Sequence, residues 1–239
     1  MFAQLDTKSV YSFMDSVVDL NSYVARAKEL GYQALGLMDR DNLYAAYHFA
    51  QLASRNGLRP LIGMEANLFY EGRKIPFRLL AKNNQGYKNL MKIVTRGFTE
   101  GYYYKPRVDY EVLEKYHEGI IALSACLAGE IPNKILKEDF DGARAAANKM
   151  RDIFGENNFF LELQDHGIRQ QTQVNTSLIR LSRELGIPMV VTNDVHYIRE
   201  EDAVPHDLLL CIQTGKKVSD QDRMRYEGCL LYTSPSPRD

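Results

Sequence analysis

Short apolar runs that break off abruptly in Asp, His and Asn constrain this chain more than any other feature. Phe159-Phe-Leu-Glu-Leu-Gln-Asp-His-Gly167 is one and Val191-Thr-Asn-Asp-Val-His-Tyr197 is another. A buried strand that ends in acids and imidazoles is how a parallel barrel presents a site at the carboxyl ends of its strands. Taken singly, either run also reads as a capped strand or turn. Between such runs lie amphipathic stretches. Asp19–Leu30 carries Leu20, Tyr23, Val24, Ala27 and Leu30 at helical spacing and is stopped by Gly31. Helices are also expected over 42–55, 84–99, 140–154 and 171–185. Strands are expected over 2–6, 34–38, 61–69, 74–80 (around a Glu71-Gly72 turn), 119–124, 158–163 and 187–192. The alternation predicts a parallel α/β fold in one contiguous domain. Periodicity leaves a closed barrel and an open sheet both standing.

Charge narrows the partners. The net charge of -1 gives no global basic field, so any nucleic acid would be held by a local patch or by other parts of a larger protein. Cys126, Cys211 and Cys229 form no paired framework and suit a reducing cytoplasm. The N-terminus has no basic region followed by an apolar run, and no apolar stretch approaches the length of a membrane span. The tail Cys229–Asp239 has no periodic or turn logic and reads as a translated sequencing adapter. The organised region is therefore taken as residues 1–228, and the natural protein is expected to continue past Gly228.

Several stretches together resemble one family. They are Phe2–Ser12, Leu35-Gly-Leu-Met-Asp-Arg-Asp-Asn-Leu-Tyr44, Pro60-Leu-Ile-Gly-Met-Glu65, Leu79–Met91, Gly119–Glu130, His206–Gly215 and Asp222–Arg225. They are similar to the PHP (polymerase and histidinol phosphatase) domain at the N-terminus of bacterial replicative DNA polymerase III alpha subunits, in the version found in Gram-positive bacteria. The resemblance implies a distorted (β/α)7, TIM-like barrel whose strand ends carry up to nine ligands for zinc or manganese. It also implies palm and thumb domains in cis, magnesium in those absent domains, DNA bound through the full-length protein, and other replisome subunits as partners. A free-standing metal-dependent phosphoesterase or 3′–5′ exonuclease of the same family is the alternative.

By the family pattern the surviving ligand positions are Asp15, Glu65, Cys126, Asp194 and His196. His166 reads equally as a hydrogen-bonded strand-end histidine. The departures weigh more. Asp6 and Lys8 stand where the first motif has two histidines, Arg40 stands where the second has another, and Pro76 or Phe77 stands where a further one is expected. A charged lysine or arginine offers no lone pair, and unit charges 4 Å apart interact by about 4 kcal/mol at an effective dielectric near 20. No tightly bound metal and no catalytic residue are therefore expected in this domain. Lys8 and Arg40 are instead expected to pair with Asp39, Glu65 and Asp194 as internal counter-charges.

Other motifs are weaker. Ser124-Ala-Cys126 is not a nucleophile elbow, and no phosphate-binding glycine loop occurs. Tyr102-Tyr-Tyr-Lys-Pro-Arg107 mixes aromatic rings with two cations, which suits either a packed structural loop or stacking on single-stranded nucleic acid. Lys216, Lys217, Arg223 and Arg225 read as a solvated face or an interdomain contact.

Overall fold

The computed structural model describes residues 3–226. The proposed adapter tail lies outside them. The elements run β1 (Ala3–Gln4), α1 (Leu20–Glu29), β2 (Ala34–Arg40), α2 (Ala46–Arg55), β3 (Arg59–Tyr70), β4 (Arg73–Ala81), α3 (Asn84–Thr99), α4 (Tyr110–Tyr116), β5 (Ile120–Leu123), α5 (Glu130–Leu136), α6 (Phe140–Phe154), β6 (Phe159–Leu163), α7 (Arg169–Leu185), β7 (Met189–Val191) and α8 (Ala203–Thr214). The described residues divide into two compact units, one of residues 3–62 with 193–226 and one of residues 63–192.

In the first unit β1 and β2 pair in parallel, with Ala3 opposite Ala34. The chain after β1 stays extended. The Met38 N–H donates to Thr7 O (2.8 Å), the Lys8 N–H to Val195 O (2.9 Å) and the Val195 N–H to Asp6 O (2.9 Å). Residues 6–8 are thus clamped between the end of β2 and residue 195. Beneath them lies a core of Leu35, Leu37, Tyr23, Val24, Ala27, Phe49, Ala53 and Val195. Tyr23 stacks on Phe49 with ring centroids 6.0 Å apart. Its buried hydroxyl is satisfied by Thr7 Oγ1 (2.8 Å) and Gly36 O (2.6 Å), and burial pushes that phenol well above its ordinary value. α1 begins where Asp19 accepts from the Ser22 N–H (2.9 Å), a side-chain cap for an orphan helix donor. α2 starts four residues later than the periodicity predicts. Asn42 is spent on a turn, donating to Arg40 O (2.7 Å) and Tyr11 O (3.0 Å) and accepting from the Tyr44 N–H (3.1 Å).

In the second unit the strand order is β3-β4-β5-β6-β7. The β5–β6 and β6–β7 pairs are parallel. The β3–β4 and β4–β5 pairs are antiparallel, so the parallel α/β sheet expected from the alternation is mixed at β4. The reason is local. Glu71 and Gly72, both at positive φ (48° and 76°), join β3 to β4 in a two-residue hairpin, and a hairpin can only return antiparallel. Helices α4 and α5 were absent from the sequence reading. Each is seven residues long, too short to show helical periodicity.

Gly36 is where β1 and β2 approach most closely. A Cβ there would stand 2.5 Å from Leu5 O and 2.8 Å from Gln4 O. Gly36→Ala should therefore push the two strands apart and destabilise the chain by about 1–3 kcal/mol, the usual range for an overpacked core. Urea denaturation monitored by circular dichroism checks this; a variant as stable as the parent would contradict the close approach.

Candidate functional site

The clamp on residues 6–8 delivers Asp6 and Lys8 to one place in the first unit, and residues 194–196 bring Asp194 and His196 there too. Lys8 is fully buried. Its Nζ lies 2.5 Å from Asp6 Oδ1 and 3.7 Å from Asp194 Oδ1. Asp194 Oδ1 in turn lies 3.3 Å from His196 Nε2. The other ring nitrogen of His196, Nδ1, donates to Asp15 O (2.7 Å) and lies 3.6 Å from Asp15 Oδ2. Arg40 Nε reaches that same oxygen at 3.1 Å. His206, from α8, donates through Nε2 to Asp15 O (3.0 Å). Tyr226 stacks on His196 with centroids 4.6 Å apart and planes 11° apart.

The electrostatics follow from burial and these contacts. Burial alone would lower the His196 pKa, but the Asp194 and Asp15 carboxylates outweigh it and raise it above its ordinary value. Burial lowers the His206 pKa, because the Asp15 carbonyl it meets does not offset desolvation. Burial pushes the Tyr226 phenol up to about 12.

Asp39, expected beside Lys8 and Arg40, is held chiefly by hydroxyls. Its Oδ1 accepts from the Ser9 N–H (2.7 Å) and Ser12 Oγ (2.7 Å), and its Oδ2 from Ser9 Oγ (2.8 Å). Burial raises its pKa, opposed by those hydrogen bonds and by the Lys8 charge.

Glu65, Pro76 and Cys126 lie in the second unit. Glu65 sits directly opposite Arg78 in the β3–β4 register, and Arg78 Nε lies 3.3 Å from its Oε2. Arg78 also donates from Nη1 to Glu162 Oε1 at 2.6 Å. Glu162 is almost completely buried and accepts further bonds from Gln164 Nε2 (3.1 Å) and Thr192 Oγ1. The Ser124 hydroxyl accepts from the Glu162 N–H (2.9 Å), so it ties β5 to β6. Gln171 of α7 donates to Cys126 Sγ (3.4 Å) and to His166 Nδ1 (2.9 Å), and its Oε1 accepts from the His166 N–H (2.7 Å). Burial raises the Cys126 thiol above its usual range, which keeps it protonated at neutral pH. Pro76 pairs in register with Asn67, while its neighbour Phe77 is buried against Phe154 at 5.9 Å.

Sequence reasoning missed Arg78, Glu162 and Gln164. The signal was present: an arginine inside Ile75-Pro-Phe-Arg-Leu-Leu80 and a glutamate inside Phe159-Phe-Leu-Glu-Leu163 are charges in apolar strands, and buried charges are paired. Of the carboxyl-terminal cations, Arg223 is committed to Asp207 through a two-armed contact (Nη2 to Oδ2, 2.8 Å). Lys216 and Lys217 are exposed. Among the described residues, no group of three or more His, Cys, Asp or Glu is arranged to hold a metal ion. No described helix is long and apolar enough to cross a membrane.

If Lys8 is the counter-charge for Asp6 and Asp194, Lys8→Met should cost about 3–5 kcal/mol, because it leaves the fully buried Asp6 carboxylate without its cation. Lys8→Met combined with Asp6→Leu should recover a large part of that loss. Equilibrium urea unfolding of the two variants measures both. A single variant within about 1 kcal/mol of the parent would contradict the pairing.

A model of the PHP domain matches residues 4–166. The DNA polymerase III subunit alpha of Treponema pallidum is 42% identical over 248 residues, covering 99% of this chain and 21% of the relative. That of Borreliella burgdorferi is 40% identical over 237 residues, covering 95% of this chain and 21% of the relative. The chain thus spans about one fifth of the length of the curated relatives it matches. Among solved structures, a two-domain protein from Bacteroides vulgatus containing a predicted PHP-like metal-dependent phosphoesterase aligns with a TM-score of 0.54 at 12% identity, over 90% of this chain and 55% of that one. At that identity the likeness speaks for the fold alone, which is the distorted, TIM-like α/β barrel expected from the sequence.

Proposed function

Because a PHP model matches more than half of its length, the chain belongs to the PHP domain family, and we propose that it serves a bacterial replicative DNA polymerase as a structural and docking domain whose metal centre has been exchanged for internal ion pairs. The chain is homologous to the N-terminal region of DNA polymerase III alpha subunits. In this reading nucleotidyl transfer, its magnesium ions and the grip on DNA belong to further domains of the same polypeptide, in the cytoplasm. The barrel braces the palm and thumb and offers a surface to other replisome subunits.

The observation that carries the proposal is the place of the Lys8 ammonium. It lies 2.5 Å from Asp6 and 3.7 Å from Asp194, at a position where the family pattern has a ligating histidine. A second cation, Arg40, meets Asp15 at 3.1 Å. The donor set therefore does not fit a zinc or manganese cluster. The carboxylates that would ligate metal already have a covalently tethered counter-charge, and a dication brought to the same point would be repelled. Glu65 faces Arg78 and Cys126 takes a hydrogen bond from Gln171, so these two potential donors also have protein partners. A phosphoesterase or exonuclease reading needs an open, cation-free position for metal-bound water, and the Lys8 ammonium argues against one.

The purified chain should not cleave single-stranded DNA or p-nitrophenyl phosphate with manganese or zinc above the level of an Asp194→Ala control. Cleavage that Asp194→Ala abolishes would overturn the proposal in favour of a working esterase. Separately, the genomic reading frame past codon 228 should encode a palm domain with paired aspartates for two-metal transfer. A stop within some tens of codons would refute the polymerase assignment while leaving the ion-pair account intact.

A further inference from the structure

The outer face of α3, in the second unit, carries two adjoining strips that the ion-pair account does not use. Lys88, Lys92 and Arg96 are spaced four residues apart and line one edge of an open groove of about 530 Å3, closed on its far side by Tyr116. No carboxylate lines that groove. Arg96 is shared with Glu100, one turn on. The Arg96 guanidinium, with Lys115 and Lys92 nearby, pulls the Tyr116 phenol below its ordinary value, which marks positive potential at the groove wall. On the neighbouring edge Met91 and Phe98 are exposed, and Tyr102 stacks on Phe98 with centroids 6.2 Å apart and planes 20° apart.

The Tyr102–Arg107 loop continues the aromatic strip. Tyr102 is 59% exposed, Tyr103 61% and Tyr104 81%. These rings lean on one another rather than on the core: Tyr103 and Tyr104 meet edge to face at 4.6 Å. The loop beneath them is anchored. Arg107 lies over the Phe69 ring (4.4 Å) and the Tyr103 ring (5.0 Å) and donates from Nε to Gly101 O (3.1 Å). The Val108 N–H donates to Asn67 O (2.9 Å) and the Phe69 N–H to Val108 O (2.7 Å). The rings are therefore presented to solvent on a rigid base, so little ordering entropy would be lost on stacking.

We propose that this face binds single-stranded nucleic acid, with phosphates tracking Lys88 and Lys92 toward Arg96 and bases stacking on the Phe98–Tyr102 pair and on Tyr104. Charge and aromaticity together select this occupant. An acidic peptide would satisfy the cations and leave the rings in water. An apolar protein face would cover the rings but desolvate the Lys88 and Lys92 ammonium groups without a counter-charge, Lys92 keeping only Asn89 and the Tyr116 ring, which is costly. A single strand supplies a phosphate and a ring at every nucleotide. Residues four apart on a helix rise about 6 Å, comparable to the phosphate repeat of an extended strand. The inference stands independently of the ion-pair account, because no residue of that network takes part.

Fluorescence anisotropy with a labelled oligothymidylate and the intact chain tests it. Binding should be saturable at low salt, and log K should fall with log[salt] by about 0.7 for each phosphate neutralised. Lys88→Gln with Lys92→Gln should weaken binding at least about tenfold and reduce that slope by about 1.4. Tyr102→Ala with Tyr104→Ala should weaken it at least about fivefold and leave the slope unchanged. The parent should prefer oligothymidylate to an abasic strand of equal length, a comparison that needs no variant to fold. Absence of saturable binding, equal affinity for the abasic strand, or variants with native melting temperature and unchanged affinity would each overturn the proposal. Equal competition by polyglutamate of matched charge would also overturn it, and would assign the face to an acidic protein partner.

Discussion

A lysine side chain with no access to solvent must be a neutral amine, or its ammonium must be faced by negative charge, and Lys8 is faced by carboxylates. Asp6 and Asp194 face it, His196 bridges Asp194 to Asp15, and Arg40 closes the series on Asp15. Each member limits the charge its neighbours can carry. Without Lys8, the fully buried Asp6 carboxylate would lose the cation it meets and the part-buried Asp194 a nearby counter-charge. The backbone clamp that delivers Asp6 and Lys8 is the same set of hydrogen bonds that joins residues 6–8 to Met38 and Val195. The architecture and the charge network of the first unit are therefore one arrangement.

The second unit solves the same problem with a different cation. Arg78 projects from an antiparallel strand between Glu65 and Glu162, and its planar fork suits two carboxylates better than a lysine would. Glu162 is further held by Gln164 and Thr192. Both units thus keep buried acidic side chains, and in both a basic side chain stands against them. Such pairs add little net stability compared with apolar packing, but removing one member is expensive.

Much of this was legible in the chain, for identifiable reasons. α1, α3 and α6 begin close to where their patterns start because Asp19, Asn83 and Asp139 supply side-chain caps to the Ser22, Gly86 and Gly142 N–H groups. Lys8 and Arg40 stood out because the resemblance implies metal-ligating histidines at those two positions, and a charged lysine or arginine offers no lone pair. Arg78 and Glu162 were each legible as charges in apolar strands, but not as partners of one another, since they are 84 residues apart and only the fold brings them together. The antiparallel β3–β4 return was legible in the Glu71-Gly72 turn, whereas the antiparallel β4–β5 pair was not, because alternation of strands and helices says nothing about strand direction. α8 escaped because its apolar residues, Leu208-Leu-Leu-Cys-Ile212, run continuously and blur helical periodicity. The partition into two compact units follows from contacts between residues distant in sequence, 3–62 with 193–226, and leaves no local mark such as a linker.

The central claim is that a tethered cation stands where the family pattern calls for metal. Metal content after equilibrium dialysis against zinc or manganese, read by inductively coupled plasma mass spectrometry, tests it most directly. The account predicts far less than one tightly held ion per chain, and it predicts higher occupancy when Lys8 and Arg40 are both changed to histidine. One or more equivalents retained by the parent chain, and lost on Asp194→Ala, would contradict it.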